Sequence, residues 1–181
     1  MSDLLGLAEP RPSTGEYDNV VAAGPDPALA AHAKRGANWF YWIAGLSMVN
    51  SIAFLVGANF HFLAGLGVSE IADGISEAVI QDGGPMAIKG VAIVFDIIVF
   101  GGFALAGYFS NKLISPVFLI GIIIYAIDGV IVLILGDLFM AAFHAFALYQ
   151  LIRGFIACRE LKHYQKMPTP VISPPPPPAF G

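Results

Sequence analysis

Four polar side chains lie inside the apolar segments of this chain, one in each segment: Asn50, Asp96, Asp128 and His144. An aspartate within a lipid-spanning segment costs about 2.5–3.5 kcal/mol on insertion scales, so both carboxyls should face a protein interior and have polar partners. Asparagine can donate hydrogen bonds to them, and histidine can donate or, when protonated, pair with them as a cation. The residue types therefore indicate a proton or cation site, a metal site, a polar ligand pocket, or a structural network between helices.

The positions of these four residues predict a single polar layer. Each lies 12 to 14 residues from the end of its segment on the side where lysine and arginine collect. At the rise of an α-helix this distance is roughly 18–21 Å. Tyr125 lies three residues before Asp128 on the same helical face, and we expect it to donate to that carboxyl. Two close carboxylates would repel if both were ionised, so at least one aspartate should hold a proton.

Asp96, Asp128 and His144 form the two-carboxylate, one-histidine set that suits iron, manganese or zinc. They come from three separate segments, however, and no Glu-x-x-His or His-x-x-His spacing accompanies them. Bis-histidine haem ligation needs two histidines at matched depth, and only His144 lies inside a segment. We therefore predict no cofactor, and the three residues stay weak metal candidates.

The elements that position these residues follow from composition. Of the 181 residues, 57% are hydrophobic and 12% charged, which is about half the charge of an average soluble domain. A soluble fold of this size has too little interior to bury so much apolar surface. The apolar segments approach the roughly 20 residues that cross a bilayer, and they lack the alternation of barrel strands. We predict an all-α bundle of four transmembrane helices, at residues 37–57, 86–108, 114–135 and 137–157.

The distribution of basic residues predicts the orientation of these helices. With the N-terminus and C-terminus in the cytoplasm, all lysines and arginines except Lys89 fall on the cytoplasmic side, as the positive-inside rule requires. Residues 1–36 show no helical or strand period and are predicted to be a disordered N-terminal tail, with a short helix over Pro27–Arg35 that leads into the membrane as the alternative for its last part. Residues 158–181 are predicted to be a C-terminal tail that is basic at first and then proline-rich, with an unbroken run at Pro174–Pro178.

An amphipathic helix is predicted in the long outer segment between the first and second transmembrane helices. Apolar residues recur there at three- and four-residue spacing, and polar residues occupy the other face. We expect this helix to pack onto the bundle, with a mobile outer loop as the alternative. The apolar positions are Leu63, Leu66, Ile71, Ile75, Ala78 and Val79, and the polar positions are Ser69, Glu70, Asp73, Ser76 and Glu77.

Several function classes are disfavoured by the same reading. The net charge is −4 and no basic patch is suited to phosphates, so no nucleic-acid partner is predicted. The single cysteine, Cys158, cannot form an internal disulfide or a Cys-x-x-Cys redox pair. No serine–histidine–aspartate grouping, HExxH motif or nucleotide-binding loop occurs, so enzymatic activity is not predicted.

Three stretches carry a resemblance to a group of uncharacterised small bacterial membrane proteins with four helices. They are Asn-Trp-Phe-Tyr-Trp-Ile-Ala-Gly-Leu-Ser at residues 38–47, Tyr-Ala-Ile-Asp-Gly at 125–129, and Phe-His-Ala-Phe-Ala-Leu-Tyr at 143–149. The resemblance covers about residues 36–154 and leaves both tails outside. It implies a four-helix integral membrane protein of the bacterial inner membrane and no particular activity.

These observations lead to two main hypotheses of different class, with a membrane-bound metalloenzyme as a third. The first is a non-enzymatic scaffold or accessory subunit of a membrane assembly, because no catalytic grouping exists and the body is too small for elaborate gating. Its expected partners are the bilayer and either another membrane protein or further copies of the same chain. The alternative is a small proton- or cation-coupled carrier that uses Asp96, Asp128 and His144.

Overall fold

The computed structural model describes residues 26–56 and 65–166, and within them the chain forms five α-helices and no β-strand. The predicted all-α class is therefore confirmed. The remaining stretches, which include most of the two predicted tails and the proline run, lie outside the described residues. The helices are α1, Pro27–Leu55; α2, Gly67–Gln81; α3, Ala87–Asn111; α4, Ser115–Ile134; and α5, Leu138–Lys166.

Three of the five helices, α3, α4 and α5, are long and apolar enough to cross a membrane. The chain is thus a membrane protein by the length and composition of its helices. Over the residues that the structure describes, α1 is long enough but not apolar enough to belong to this set. The stretch that follows Lys34 and Arg35 is uncharged, but the polar residues Asn38, Ser47 and Asn50 lower its hydropathy. The predicted count of four spans is therefore only partly supported.

The four long helices form a ring in the order α1, α3, α4, α5, in which α5 also contacts α1. Neighbours around the ring run antiparallel. The connections at residues 112–114 and 135–137 are short, and Gly136 turns the chain with a φ of +85°. Aromatic rings fill the interior, where Phe40, Phe118 and Tyr125 have no exposed surface.

Two of these helices extend further than the sequence predicts. Asp26 caps α1 by accepting from the amide of Ala28, and the following proline suits the first helical position. Residues 27–36 and 158–166, which the sequence assigned to the tails, are helical; over Pro27–Arg35 this agrees with the short helix given as the alternative. They are held by packing between α1 and α5, which buries Ala33, Cys158 and Leu161 in the core. Gly36 and Gly154 bring the two backbones so close that a Cβ on either would overlap the other helix.

The ring has one acidic and one basic end. The acidic end consists of the C-termini of α1 and α4, the N-termini of α3 and α5, and α2, which contacts α3, α1 and α4. The basic end, opposite, contains seven of the eight described lysines and arginines. These are Lys34, Arg35, Lys112, Arg153, Arg159, Lys162 and Lys166.

The helix predicted between the first two apolar segments is present as α2, but it packs with the opposite face to the one expected. Its polar residues Ser69, Asp73 and Ser76 are buried against the bundle, whereas Ile75 is 57% exposed. The prediction assumed the arrangement of a helix at a water interface. The faces are reversed because the bundle offers α2 polar neighbours, among them Asn50, Ser51 and Asp128. The acidic face of α2 therefore joins the polar layer.

Candidate functional site

The carboxylate of Asp128 joins three helices at the acidic end. It accepts from the amides of Gly67 at 3.0 Å and Val68 at 2.8 Å, which begin α2, and its Oδ2 lies 2.8 Å from Nε2 of His144 on α5. The first amides of a helix have no partner within the helix and carry its positive dipole end. Asp128 therefore caps α2 from a neighbouring helix. We call Asp128, His144 and the two amides the Asp128 cluster.

The hydrogen bonds of His144 determine how many protons the Asp128 cluster holds. Its Nδ1 lies 2.9 Å from the carbonyl oxygen of Met140, which can only accept, so Nδ1 carries a hydrogen. The contact between Nε2 and Asp128 then holds one further proton, on either the imidazole or the carboxyl. Both arrangements have no net charge, and this is why the pair can be buried so completely.

Tyr125 belongs to this region through its ring. It stacks on the imidazole of His144, with ring centroids 4.6 Å apart and planes 14° from parallel, and it meets Phe103 edge-on. The expected hydrogen bond to Asp128 is not formed, and the buried hydroxyl has no partner among the described residues. The tyrosine thus covers one face of the imidazole, whose two nitrogens are held by Met140 and Asp128.

A second group of polar residues, the Asp96 cluster, comprises Asp96 on α3, Ser51 on α1 and Asp73 on α2. The Ser51 hydroxyl donates to Oδ2 of Asp96 at 2.7 Å. Asp73 faces the same hydroxyl and the same carboxyl. Burial, reinforced by the charge of Asp96, raises the pKa of Asp73 from 3.8 to about 6, although Ser51 and Lys89 act in the other direction. The Ser51 hydroxyl thus lies between two carboxyls and has a single hydrogen to donate.

Asn50 is connected to α2 and not to either aspartate of the predicted layer. Its side-chain amide donates to Oε1 of Glu70 at 3.0 Å. The four residues of the predicted layer are thus divided among separate contacts: Asp128 with His144, Asp96 with Ser51, and Asn50 with Glu70.

The structure separates the three candidate metal ligands. Asp128 and His144 are in contact, whereas Asp96 belongs to the other cluster. Within residues 26–56 and 65–166, no three histidine, cysteine, aspartate or glutamate side chains are grouped closely enough to hold a metal ion. The predicted two-carboxylate, one-histidine set is therefore not assembled in the described chain.

Several buried oxygens of the polar layer have no hydrogen-bond partner in the described part of the protein. They include Oδ1 of Asp96, Oγ of Ser69 and Oδ1 of Asn50. Asp96 is 3% exposed and Ser69 is 2% exposed, so neither reaches bulk solvent freely. Leaving such a group unsatisfied costs about 1–3 kcal/mol, so these oxygens are suited to bind water or a polar ligand.

Ser51, Asp73 and Glu70 were not among the residues selected from the sequence as candidate site residues. Asp73 and Glu70 were assigned to the outward face of α2, and Ser51 has no unusual character by itself. One signal was present, since Ser69, Asp73 and Ser76 share one face of a helix between two apolar segments. That pattern indicates burial only when the helix is known to lie at membrane depth.

Comparisons of the chain with protein-family profiles, with curated protein sequences and with solved structures find no match. The function is therefore inferred from the polar layer and from the surface of the helices.

Proposed function

We propose that this chain is a non-enzymatic scaffold or accessory subunit of a membrane assembly and crosses the bilayer four times. The fourth span is α1, whose 29 residues would extend roughly 44 Å. Two contacts support this: near the basic end Asn111 donates to Asn38 at 3.2 Å, and near the acidic end Ser51 donates to Asp96. α1 therefore lies alongside the spanning helix α3 over most of its length.

The proposed membrane is the bacterial inner membrane, with the basic end and both termini in the cytoplasm. The collection of lysine and arginine at one end of the ring supports this orientation. The resemblance to small bacterial four-helix membrane proteins supports the choice of membrane. No cofactor is proposed.

The observation that carries the subunit proposal is a pair of apolar grooves on the two sides of α3. One groove, of about 490 Å³, lies between α3 and α4 and includes Gly102 and Ala106. The other, of about 480 Å³, lies between α1 and α3 and includes Gly45 and Gly101. Small residues in spanning helices commonly allow a neighbouring helix to approach closely.

Within the described chain these glycines have no such neighbour. A Cβ placed on Gly45, Gly101 or Gly102 would meet no atom within 4 Å, unlike one on Gly121, which would strike the ring of Phe40. Close packing inside the bundle therefore does not explain them. The grooves fit a transmembrane helix of a partner, either another membrane protein or a second copy of this chain.

We predict that Gly102→Leu separates the chain from its partner without disturbing its own fold. The leucine would fill the groove between α3 and α4, and overpacking of this kind costs about 1–3 kcal/mol, so partner recovery should fall on the order of tenfold. The measurement is purification from native membranes in mild detergent, followed by mass spectrometry and cross-linking of what stays bound.

Ala145→Leu is the matched control, because this residue is exposed on α5 and lines neither groove. It should recover the partner as well as the native protein does. A native chain that emerges as a monomer with no stoichiometric partner would overturn the subunit proposal.

The Asp96 cluster favours a second candidate function, a small proton- or cation-coupled carrier. Two carboxyls share one serine hydroxyl, and Oδ1 of Asp96 has no protein partner among the described residues. The groove between α1 and α3 also reaches Ser51 and Asp96 from the lipid-facing side. A cation could replace the proton on Asp73 as the pH rises through about 6.

The carrier hypothesis predicts flux in liposomes that contain the purified chain. Asp96→Asn should reduce proton or cation flux by about tenfold or more, because one of the two carboxylates that would hold the cation beside Ser51 is lost. Cation flux of the native chain should rise between about pH 5 and about pH 7 as Asp73 loses its proton. Asp82→Asn, at an exposed carboxyl of the same end, should change neither. Native flux equal to that of empty liposomes would reject the carrier.

A further inference from the structure

A groove of about 490 Å³ lies at the basic end, between the first turn of α4 and the last turns of α5. Its α4 side is formed by Ser115, Pro116 and Leu119. It is separate from the polar layer at the acidic end and from the two apolar grooves beside α3. Its α5 side consists of Phe155, Arg159, Lys162, His163 and Lys166.

The basic residues of α5 lie on one face, because their spacing of three, four and seven residues follows the helical repeat. No carboxylate lines the groove, and no described carboxylate forms an ion pair with Arg159, Lys162 or Lys166. Glu160, the acid of this stretch, lies outside the groove. The groove therefore concentrates positive charge that the described protein does not neutralise.

The N-terminus of α4 adds to this positive potential. The helix has no acidic residue in its first turn, and no side chain caps it. Its 20 residues give a full macrodipole, whose positive end opens between Ser115 and Pro116 onto the basic face of α5. An anion in the groove would meet both the helix end and the basic side chains.

The groove also has an apolar part, and this distinguishes its ligand from a free anion. Leu119 lies one turn further into α4 than Ser115, and Phe155 lies one turn further into α5 than Arg159. The guanidinium of Arg159 is 5.9 Å from the centroid of the Phe155 ring, at the boundary between the two parts. The groove is thus positively charged near the ends of the two helices at the basic end of the ring, and apolar toward the middle of α4 and α5.

We propose that this groove binds an anionic phospholipid, with the phosphate headgroup between α4 and the basic face of α5 and an acyl chain along Leu119 and Phe155. Basic pockets between spanning helices recognise such headgroups in this way. The site needs only that α4 and α5 cross the membrane. It does not depend on the scaffold or carrier role.

The test is native mass spectrometry of the full-length chain in detergent with added phosphatidylglycerol or phosphatidylcholine of identical acyl chains. We expect phosphatidylglycerol to be retained preferentially and to raise the melting temperature. The double substitution Arg159→Gln with Lys162→Gln should weaken phosphatidylglycerol binding by about tenfold or more, because two headgroup contacts are lost. Both residues are on the surface of α5, so the fold should persist and circular dichroism would verify it.

The matched control is Lys34→Gln with Lys112→Gln, which removes the same charge from the basic end outside the groove. This control should retain phosphatidylglycerol within about twofold of the native chain. Equal retention of the two lipids, or equal loss in the control, would overturn the proposal. In a third arm, inorganic phosphate is added at the same concentration as the lipid. Displacement of the lipid would show that the groove binds free anions and would also overturn the proposal.

Discussion

At the scale of single residues, the two aspartates of the polar layer differ in the number of hydrogen-bond donors that each carboxyl has. Asp128 has three donors: two amides of α2 and, through a shared proton, His144. Asp96 has one, the Ser51 hydroxyl. The contacts of Asp128 suit a structural role that holds α2 and α5 to α4. Asp96 keeps its Oδ1 without a partner among the described residues, so this oxygen is available to a ligand. The two aspartates, similar in the sequence, are therefore suited to different roles.

Asp73 provides the clearest pH dependence. Burial raises the pKa of its carboxyl from 3.8 to about 6, so between these pH values the folded chain binds more protons than the unfolded chain. The free energy of unfolding should therefore decrease as the pH rises through this window and then become constant with respect to this group. Asp73→Asn should abolish the decrease and stabilise the protein above about pH 6 by on the order of 1 kcal/mol.

Thermal unfolding of the solubilised chain over a pH series would measure this effect. Asp82→Asn serves as the comparison, because Asp82 is exposed. An unchanged slope in Asp73→Asn would show that another group causes the pH dependence.

At the scale of elements, α2 is the helix whose placement defines the site. It covers the acidic end with its polar face inward, and its first turn is fixed by Asp128. The fit is tight at Gly67, where a Cβ would overlap the side chain of Val132 on α4. Because Gly67 has no side chain, the first turn of α2 can approach α4 closely enough for its amides to reach Asp128.

Gly67→Ala should displace the first turn of α2 and destabilise the protein by about 1–3 kcal/mol. Combining it with Val132→Ala should recover part of this loss, since the new methyl group can occupy the space left by the valine. Melting temperatures of the two single variants and the double variant measure the coupling. Gly74→Ala, on the same helix with nothing within 4 Å, should be neutral or slightly stabilising. Additive losses for Gly67 and Val132 would contradict the proposed contact.

At the scale of the whole molecule, the number of spans determines on which side each end of the chain lies. With four spans, the start of α1 and the end of α5 share a side. With only the three apolar helices crossing, they lie on opposite sides. The native cysteine, Cys158, has no exposed surface and should not interfere with labelling.

We predict that cysteines replacing Lys34 and Gln165 are both protected from a membrane-impermeant thiol reagent in intact cells, whereas a cysteine replacing Asp82 is labelled. All three positions are exposed on the protein surface. Labelling at one of the first two positions, with protection at the other, would indicate three spans. Protection at Asp82 with labelling at both others would reverse the orientation.

The sequence alone was sufficient to predict a helical membrane protein and a helix between the first two apolar segments, which the structure shows at Gly67–Gln81; the predicted apolar position Leu63 lies outside the described residues. Helix periodicity and hydropathy are local properties, so the three most apolar segments were identified to within a few residues except where α5 extends to Lys166. The contact between Asp128 and His144 was also predictable in part, because both residues had to find polar partners at one depth.

The tertiary structure alone decided the partners within the layer and the face that α2 presents. Asp96 pairs with Ser51, and Asp73 joins them, because α2 lies against the bundle with its polar face inward. The periodicity of the sequence does not show which face of α2 packs against the bundle, since an amphipathic pattern is the same whichever face is buried. Which face is buried depends on the surroundings of the helix, and those surroundings are assembled from α1, α3 and α4, which are distant in sequence from the residues they shelter.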